Sequence, residues 1–273
     1  MDKNRSRLDE LYNLILKKGT RQWEREQLLK SKHDIEANID EKLVLAQLEY
    51  KFRPLAVRHN LSPDVADFYT TLIEQGKNIE TFDVTRHFEN DPVGIERAIF
   101  AGGCFWCMVE PFETRPGIIA VISGYTGGTT PNPTYDEVLI GSLGYVEAVE
   151  IIFDATVVTY NELCQLYWQL IDPTDEFGQF GDRGANYRAI IYVVDEKQRK
   201  IAEESKFALE CSKKFASPIV VPIIDAVKFW PAENFHQQFY RKNHKQYQRL
   251  KNSRKTYLTY LKIKGWFWRK IRR

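Results

Sequence analysis

Apolar side chains recur with helical spacing along the first third of this chain. From about Glu96 onward, strand-like and helix-like spacings alternate. Leu8, Leu11, Tyr12 and Ile15 keep a 3.6-residue period that Gly19 closes. A longer helical run carries Ile35, Ile39, Leu43 and Leu48, and it is not expected to continue unperturbed past Pro54. Ser62-Pro63-Asp64 reads as an N-cap with proline at the first helical position, and Gly76 stops the helix it opens. Asn78 to Pro92 shows no period and reads as a linker. Residues 1–92 are therefore expected to form a small all-α domain. His33, His59 and His87 stand at unrelated spacings there, which favours surface or packing roles over metal binding.

In the second region, Ala98 to Ala101 predicts a short strand ending at Gly102-Gly103, followed by a helix from near Cys104 to before Pro116-Gly117. Ile118 to Ile122, Val146 to Phe153, Arg188 to Val194 and Ile219 to Ile224 predict further strands. Thr159-x-x-Glu162 is a capping box opening a helix through about Ile171, and Asp195-x-x-Gln198 caps another. Strands interleaved with helices predict an α/β sandwich. Gly124-Tyr125-Thr126-Gly127-Gly128 has neither the GxGxxG order nor a following Lys-Ser/Thr, so no nucleotide phosphate site is expected.

Composition adds boundaries. With 43% hydrophobic and 28% charged residues in 273, the chain is ordinary globular material, not disordered or fibrous. No apolar run has the roughly 18–20 residues a spanning helix needs, and charges interrupt the N-terminal stretch where a secretory signal would be apolar. The cytoplasm is the expected compartment. The net charge of +2 hides a split: 13 Lys and Arg and no Asp or Glu lie from Arg241 to Arg273, leaving 26 basic against 37 acidic side chains before them. Such a tail, with Trp266, Phe267 and Trp268 among its basic residues, suits a membrane or nucleic-acid surface, or folding back on its own body. Charge alone does not choose; nucleic acid is not an expected partner, and membrane contact has no further support.

Four cysteines are too few for a disulfide scaffold. A zinc site would need a second pair beside Cys104 and Cys107, but Cys164 and Cys211 stand alone, so no metal is expected. Cys104 sits where a strand turns into a helix, after two glycines that leave its sulfur unshielded. Backbone N–H groups at a helix start favour thiolate over thiol. Phe105 and Trp106 read equally as core or as an apolar wall for a small group. Glu147 shares a strand face with Val149, Ile151 and Phe153, so it is expected to point inward, with a raised pKa and the ability to donate a proton near neutrality. Glu150 falls on the opposite, solvent-facing side. Gly181 to Arg188 forms a polar loop running into a strand, and Tyr187 and Tyr135 offer hydroxyls, although each tyrosine taken singly reads as structural.

Gly103-Cys104-Phe105-Trp106, Gly124-Tyr125-Thr126-Gly127-Gly128, Pro131-Asn132-Pro133-Thr134-Tyr135, Glu147-Ala148-Val149 and Asp182-Arg183-Gly184-x-x-Tyr187-Arg188 together resemble the A-type peptide methionine sulfoxide reductases. The resemblance runs from about Arg97 to Tyr247 and implies a two-layer α/β sandwich of ferredoxin-like plait type. It also implies reduction of methionine S-sulfoxide, free or in oxidised proteins, with no cofactor beyond electrons from thioredoxin or another dithiol. By the same resemblance Cys104 is the nucleophile, Phe105 and Trp106 hold the substrate methyl, and Glu147 protonates the sulfoxide oxygen. Tyr135 and Tyr187 bond that oxygen or the acid, and Asp182 supports the site.

The chain departs from the family in three ways. Many members carry Gly at the position of Cys107 and resolve the sulfenic acid with cysteines near the C-terminus, whereas this chain has none after Cys211. A CxxC at a helix start can close its own disulfide, so Cys107 is the expected resolving thiol, with Cys211 next and Cys164 structural. Tyr145 stands where the family often has His. The expected organisation is a helical domain over 1–92, a reductase domain over 93–247 and a basic aromatic tail over 248–273. The competing reading is a general thiol–disulfide oxidoreductase using the same CxxC.

Overall fold

The computed structural model describes residues 3–56, 60–76, 82–141 and 143–271. The chain forms two compact units, Met1–Thr81 and Phe82–Arg273. In the first, α1 (Lys3–Leu16), α2 (Gln22–Glu36), α3 (Glu41–Ala56) and α4 (Pro63–Gly76) enclose Leu11, Leu28, Leu48, Phe52, Val65 and Phe68. The single long helix expected around residues 35–48 is two helices. Asn38 adopts a left-handed conformation (φ 58°) that asparagine tolerates better than most residues, and this breaks the run. Pro54 lies in the last turn of α3, where few backbone bonds remain to lose, and the helix ends at Ala56. Buried Glu24 accepts from the Ser62 backbone N–H and hydroxyl, both at 2.7 Å, and ties α2 to the start of α4.

The second unit begins earlier than the sequence boundary at residue 92. Phe82 and Val84 pack on its core, and α5 (Thr85–Phe88) follows. Asp91 then binds Arg97 at 2.5 Å. Residues 82–92, which looked like linker, are thus cover for a sheet; the rest of that stretch, 78–81, lies outside the described residues. The sheet elements and their helices run β1 (Ile95–Gly102), α6 (Trp106–Glu113), β2 (Ile118–Thr126), α7 (Tyr135–Ile140), β3 (Val146–Asp154) and α8 (Tyr160–Leu170). There follow the hairpin β4 (Gly178–Gln179) and β5 (Asp182–Arg183), then β6 (Ala189–Val193), α9 (Glu196–Cys211), β7 (Ile223–Asp225) and β8 (Trp230–Pro231). The short α10 (Phe239–Lys242) and the 28-residue α11 (His244–Ile271) complete the unit. The sequence placed the seventh strand too early and too long, at Ile219 to Ile224.

The six-stranded order is β7-β6-β1-β3-β2-β8. β3 lies between β1 and β2 and antiparallel to both, so the unit β1-α6-β2 straddles it as a split crossover. Phe100 on β1 meets Phe112 of α6 and Tyr160 and Tyr167 of α8, which fixes the helices on one face. The other face buries Ile99, Ala101, Ala148, Ile152 and Tyr192 under Phe82, Val84 and Phe229. Both faces of β3 are therefore dry. The start of the basic stretch is docked: α11 packs on α6, with the Tyr247 hydroxyl and Lys251 Nζ bonding Glu110 at 2.7 and 2.8 Å. Among the described residues no helix is long and apolar enough to cross a membrane.

Candidate active site

The register of the sheet builds the site. β1 and β3 pair antiparallel, with Phe100 opposite Val149, so the chain leaving β1 at Gly102 arrives over the beginning of β3, where Glu147 sits. Gly103 makes that exit possible. Its φ is +77°, and an added Cβ would stand 2.5 Å from Gln179 Cβ and 2.8 Å from Arg254 Nη2. Cys104 and Phe105 then make the turn into α6, and the Cys107 N–H donates to the Cys104 carbonyl at 3.1 Å. The N-cap residue Phe105 has no side-chain cap. Instead its own N–H donates to Glu147 Oε2 at 3.0 Å, so a carboxyl group from the sheet satisfies the helix start.

Glu147 is 1% exposed. Burial raises its pKa from the ordinary carboxylate range to about 8; the Phe105 N–H bond opposes this, and Asp182 adds to it. The acid is thus mostly protonated at neutrality. Cys104 is partly exposed and Cys107 buried, both are free thiols, and their side chains hydrogen-bond to each other. That bond, together with burial and the Glu147 carboxyl, pushes the Cys104 thiol well above its ordinary value. The same bond draws the Cys107 thiol down, helped by the Arg254 charge. The sequence expectation of a thiolate on Cys104 from the helix start alone is therefore revised. Cys104 lies two residues before the first helical residue, outside the first turn, where the helix field is strongest.

The remaining candidates divide into two groups. Asp182, on the β4–β5 hairpin, acts electrostatically on Cys104, Cys107 and Glu147 and lies 3.9 Å from Arg254 Nη2. Phe105, Trp106 and Tyr135 surround His236 instead. The Trp106 indole N–H donates to His236 Nδ1 at 3.1 Å, and the rings of Tyr135 and Phe105 lie 4.4 and 4.9 Å from it. Trp106 also stacks on Phe239 at 3.8 Å. Phe105 and Trp106 are both nearly fully buried, packed against Tyr125, His236 and Phe239. Tyr187 is half-buried, at the end of a 3-10 turn (Ala185–Tyr187) whose chain packs on β3. Cys164 is fully buried in α8, and Cys211 is exposed at the end of α9. Among the described residues no three His, Cys, Asp or Glu side chains gather as metal ligands.

Sequence reasoning missed Tyr125, Glu233, His236 and Arg254. The Tyr125 hydroxyl donates to Glu233 Oε2 at 2.7 Å, and the Tyr135 N–H donates to Glu233 Oε1 at 2.8 Å. Burial holds the Tyr125 phenol well above its ordinary pKa. Tyr125 is opposite Glu147 in the β2–β3 register, which was a readable signal. Glu233 and His236 lie in an irregular segment with no period to mark them.

A pair of thiols at a helix start, facing a buried acid that holds its proton, belongs to a thiol-dependent oxidoreductase. Residues 96–264 match the model of the family described as peptide methionine sulfoxide reductase, and the chain belongs to that family, in its A type. It is 59% identical over 172 residues to peptide methionine sulfoxide reductase MsrA 1 of Lactococcus lactis subsp. lactis (strain IL1403), covering 63% of this chain and 94% of that protein. It is 58% identical over 153 residues to the MsrA of Streptococcus equi subsp. zooepidemicus (strain MGCS10565), covering 56% of this chain and 90% of that one. The solved structure of methionine sulfoxide reductase A of Corynebacterium diphtheriae aligns with a TM-score of 0.50 and 31% identity, over 56% of this chain and 77% of that chain. Residues 1–77 match the model of the bacteriocin immunity protein family.

Proposed function

We propose that this chain reduces the S epimer of methionine sulfoxide, free or within oxidised proteins, through a sulfenic acid on Cys104 and a Cys104–Cys107 disulfide. The observation that carries the reading is the buried Glu147, its Oε2 bonded to the Phe105 N–H directly beside Cys104. With Oε2 engaged as an acceptor, the proton of the neutral acid sits on Oε1 and is free to be donated. The Cys104 sulfur attacks the sulfoxide sulfur while Oε1–H protonates the oxygen, which makes a poor leaving group a competent one. The oxygen passes with its proton to Cys104, which is oxidised by two electrons, the thiol proton of Cys104 replaces the one Glu147 gave, and the thioether leaves. The Cys107 sulfur then displaces the sulfenic hydroxyl; a sulfur–sulfur bond forms and water departs. A dithiol of the thioredoxin kind reduces that disulfide, so no bound cofactor enters the cycle. The rings of Phe105 and Trp106 suit the substrate methyl, and Tyr135, Tyr187 and Asp182 complete the polar side. A cytoplasmic setting fits a cycle that needs reduced thiols.

The first unit stands outside this chemistry: its similarity lies with another family, and the reductase match starts after it. The test is turnover of the full chain with dithiothreitol on separated S and R epimers, alongside insulin disulfide reduction. Turnover of the S epimer alone supports the reading. Insulin reduction without sulfoxide turnover replaces it with a general thiol–disulfide oxidoreductase.

A further inference from the structure

The C-terminal helix brings three basic or phenolic side chains to the back of the CxxC at one-face spacing: Tyr247, Lys251 and Arg254. The first two grip Glu110 of α6, as described above. The third goes deeper. Arg254 is 8% exposed, its Nη2 reaches the Gly102 carbonyl at 3.4 Å, and its guanidinium lies over the Phe180 ring at 4.6 Å. Nη1 is buried without a hydrogen-bond partner among the described residues, a condition that a guanidinium rarely tolerates away from water. Its carboxylate neighbour Asp182 stands at 3.9 Å, beyond a good hydrogen bond, so the cation is incompletely neutralised.

We propose that Arg254 is a positioning residue of the resolving step, a fixed cation that α11 holds against the CxxC turn to stabilise negative charge on the Cys107 sulfur. The inference rests on the reading of Cys107 as the resolving thiol. Five groups face that sulfur: Cys104 from its own turn, Glu147 from β3, Asp182 from the β4–β5 hairpin, and Tyr247 and Arg254 from α11. In the reduced enzyme the Cys104 thiol supports the Cys107 charge by hydrogen bonding. Once Cys104 has become a sulfenic acid, that thiol is gone, and of these five groups Arg254 alone is a cation. It remains in place while Cys107 displaces the hydroxyl, and the reaction still balances as thiol plus sulfenic acid giving disulfide plus water.

The experiment is a rapid-quench single turnover of the reduced full chain with methionine sulfoxide and no reductant, from pH 5.5 to 9. Methionine release, dimedone-trapped sulfenic acid and the closed disulfide are read separately by mass spectrometry. For Arg254→Gln the expected result is release within about threefold of the unsubstituted chain, with closure slowed about tenfold below pH 7 and recovering as pH rises. That ratio is the loss of thiolate for a thiol displaced upward by about one pH unit. Arg254→Lys restores most of the closure rate. Asp182→Asn, which leaves the cation unopposed, carries closure to lower pH and gives the sign independently if the Gln variant does not fold. A closure profile unmoved by these changes, or release and closure falling by one factor at every pH, overturns the proposal. A disulfide from Cys104 to Cys164 or Cys211 removes the resolving role of Cys107 as well. A Cys104–Cys107 disulfide with an unmoved profile removes Arg254 alone.

Discussion

Glu147 and Glu150 lie three residues apart on β3, one on each face, and both are almost fully buried. Their surroundings differ in the one respect that decides charge. On the outer face, Glu150 accepts from Arg97 at 3.2 Å and lies 2.7 Å from His87 Nδ1, so cationic or proton-donating partners answer both oxygens. On the helix face, Glu147 has one backbone N–H at hydrogen-bond distance and a second acid, Asp182, nearby, and the Arg254 cation acts on it only through space, without an ion pair among the described residues. A buried carboxyl with a cation partner can stay ionised, whereas one with a single neutral donor takes up a proton instead. The same residue type on one strand thus yields an ion pair on one side and a proton donor on the other.

The largest expected effects separate the nucleophile from its surroundings. Cys104→Ser should abolish methionine release, measured as product per enzyme in a single turnover. Glu147→Gln keeps an acceptor for the Phe105 N–H but removes the acid, and it should slow release by about 10²–10⁴-fold with substrate affinity largely retained. Glu150→Gln should leave turnover within about twofold and instead cost about 3 kcal/mol of stability in a denaturant titration, because it leaves Arg97 and His87 facing a neutral group. If both variants lose turnover equally, the contrast between the faces fails.

Stability should diverge as well, and with pH. Between about 4.5 and 8 the folded chain keeps a proton on Glu147 that the unfolded chain has released, so stability falls as pH rises through that window. Glu147→Gln should therefore be more stable than the unsubstituted chain at pH 9, by about 5 kcal/mol at most, and close to it at pH 5. Cys107→Ser should release one methionine per enzyme and then stop cycling with thioredoxin. The smallest effect is expected from removing residues 1–81. The matched part alone covers 94% of the Lactococcus relative, and each unit has its own core, so turnover of free methionine sulfoxide should stay within about twofold.

Much of this was legible where local rules suffice. The alternation along β3 was enough to turn Glu147 inward, and the capping box at Thr159 and the cap at Asp195 marked α8 and α9. Another signal was present but unread: Thr134-x-x-Glu137 is also a capping box, and it opens α7 at Tyr135. The solvent exposure given to Glu150 failed for a tertiary reason, although its face was right. Its face is open unless residues 82–92 fold over it, and nothing periodic in that segment announces that they do. Arg254 was hidden differently. Its charge counted toward a basic tail, and only the 247, 251, 254 spacing hinted that one face of that tail is docked. The shift on Cys104 depends on a sulfur–sulfur hydrogen bond and a carboxyl group from another strand, which no local window contains.

The central claim is that Glu147 holds a proton at neutral pH beside Cys104. Carbon-13 NMR of the reduced full chain with labelled glutamate side chains, the Glu147 resonance being assigned by its loss in Glu147→Gln, reads this directly. A titration midpoint near 8 is expected, and a midpoint in the ordinary range of 4 to 5 would contradict it.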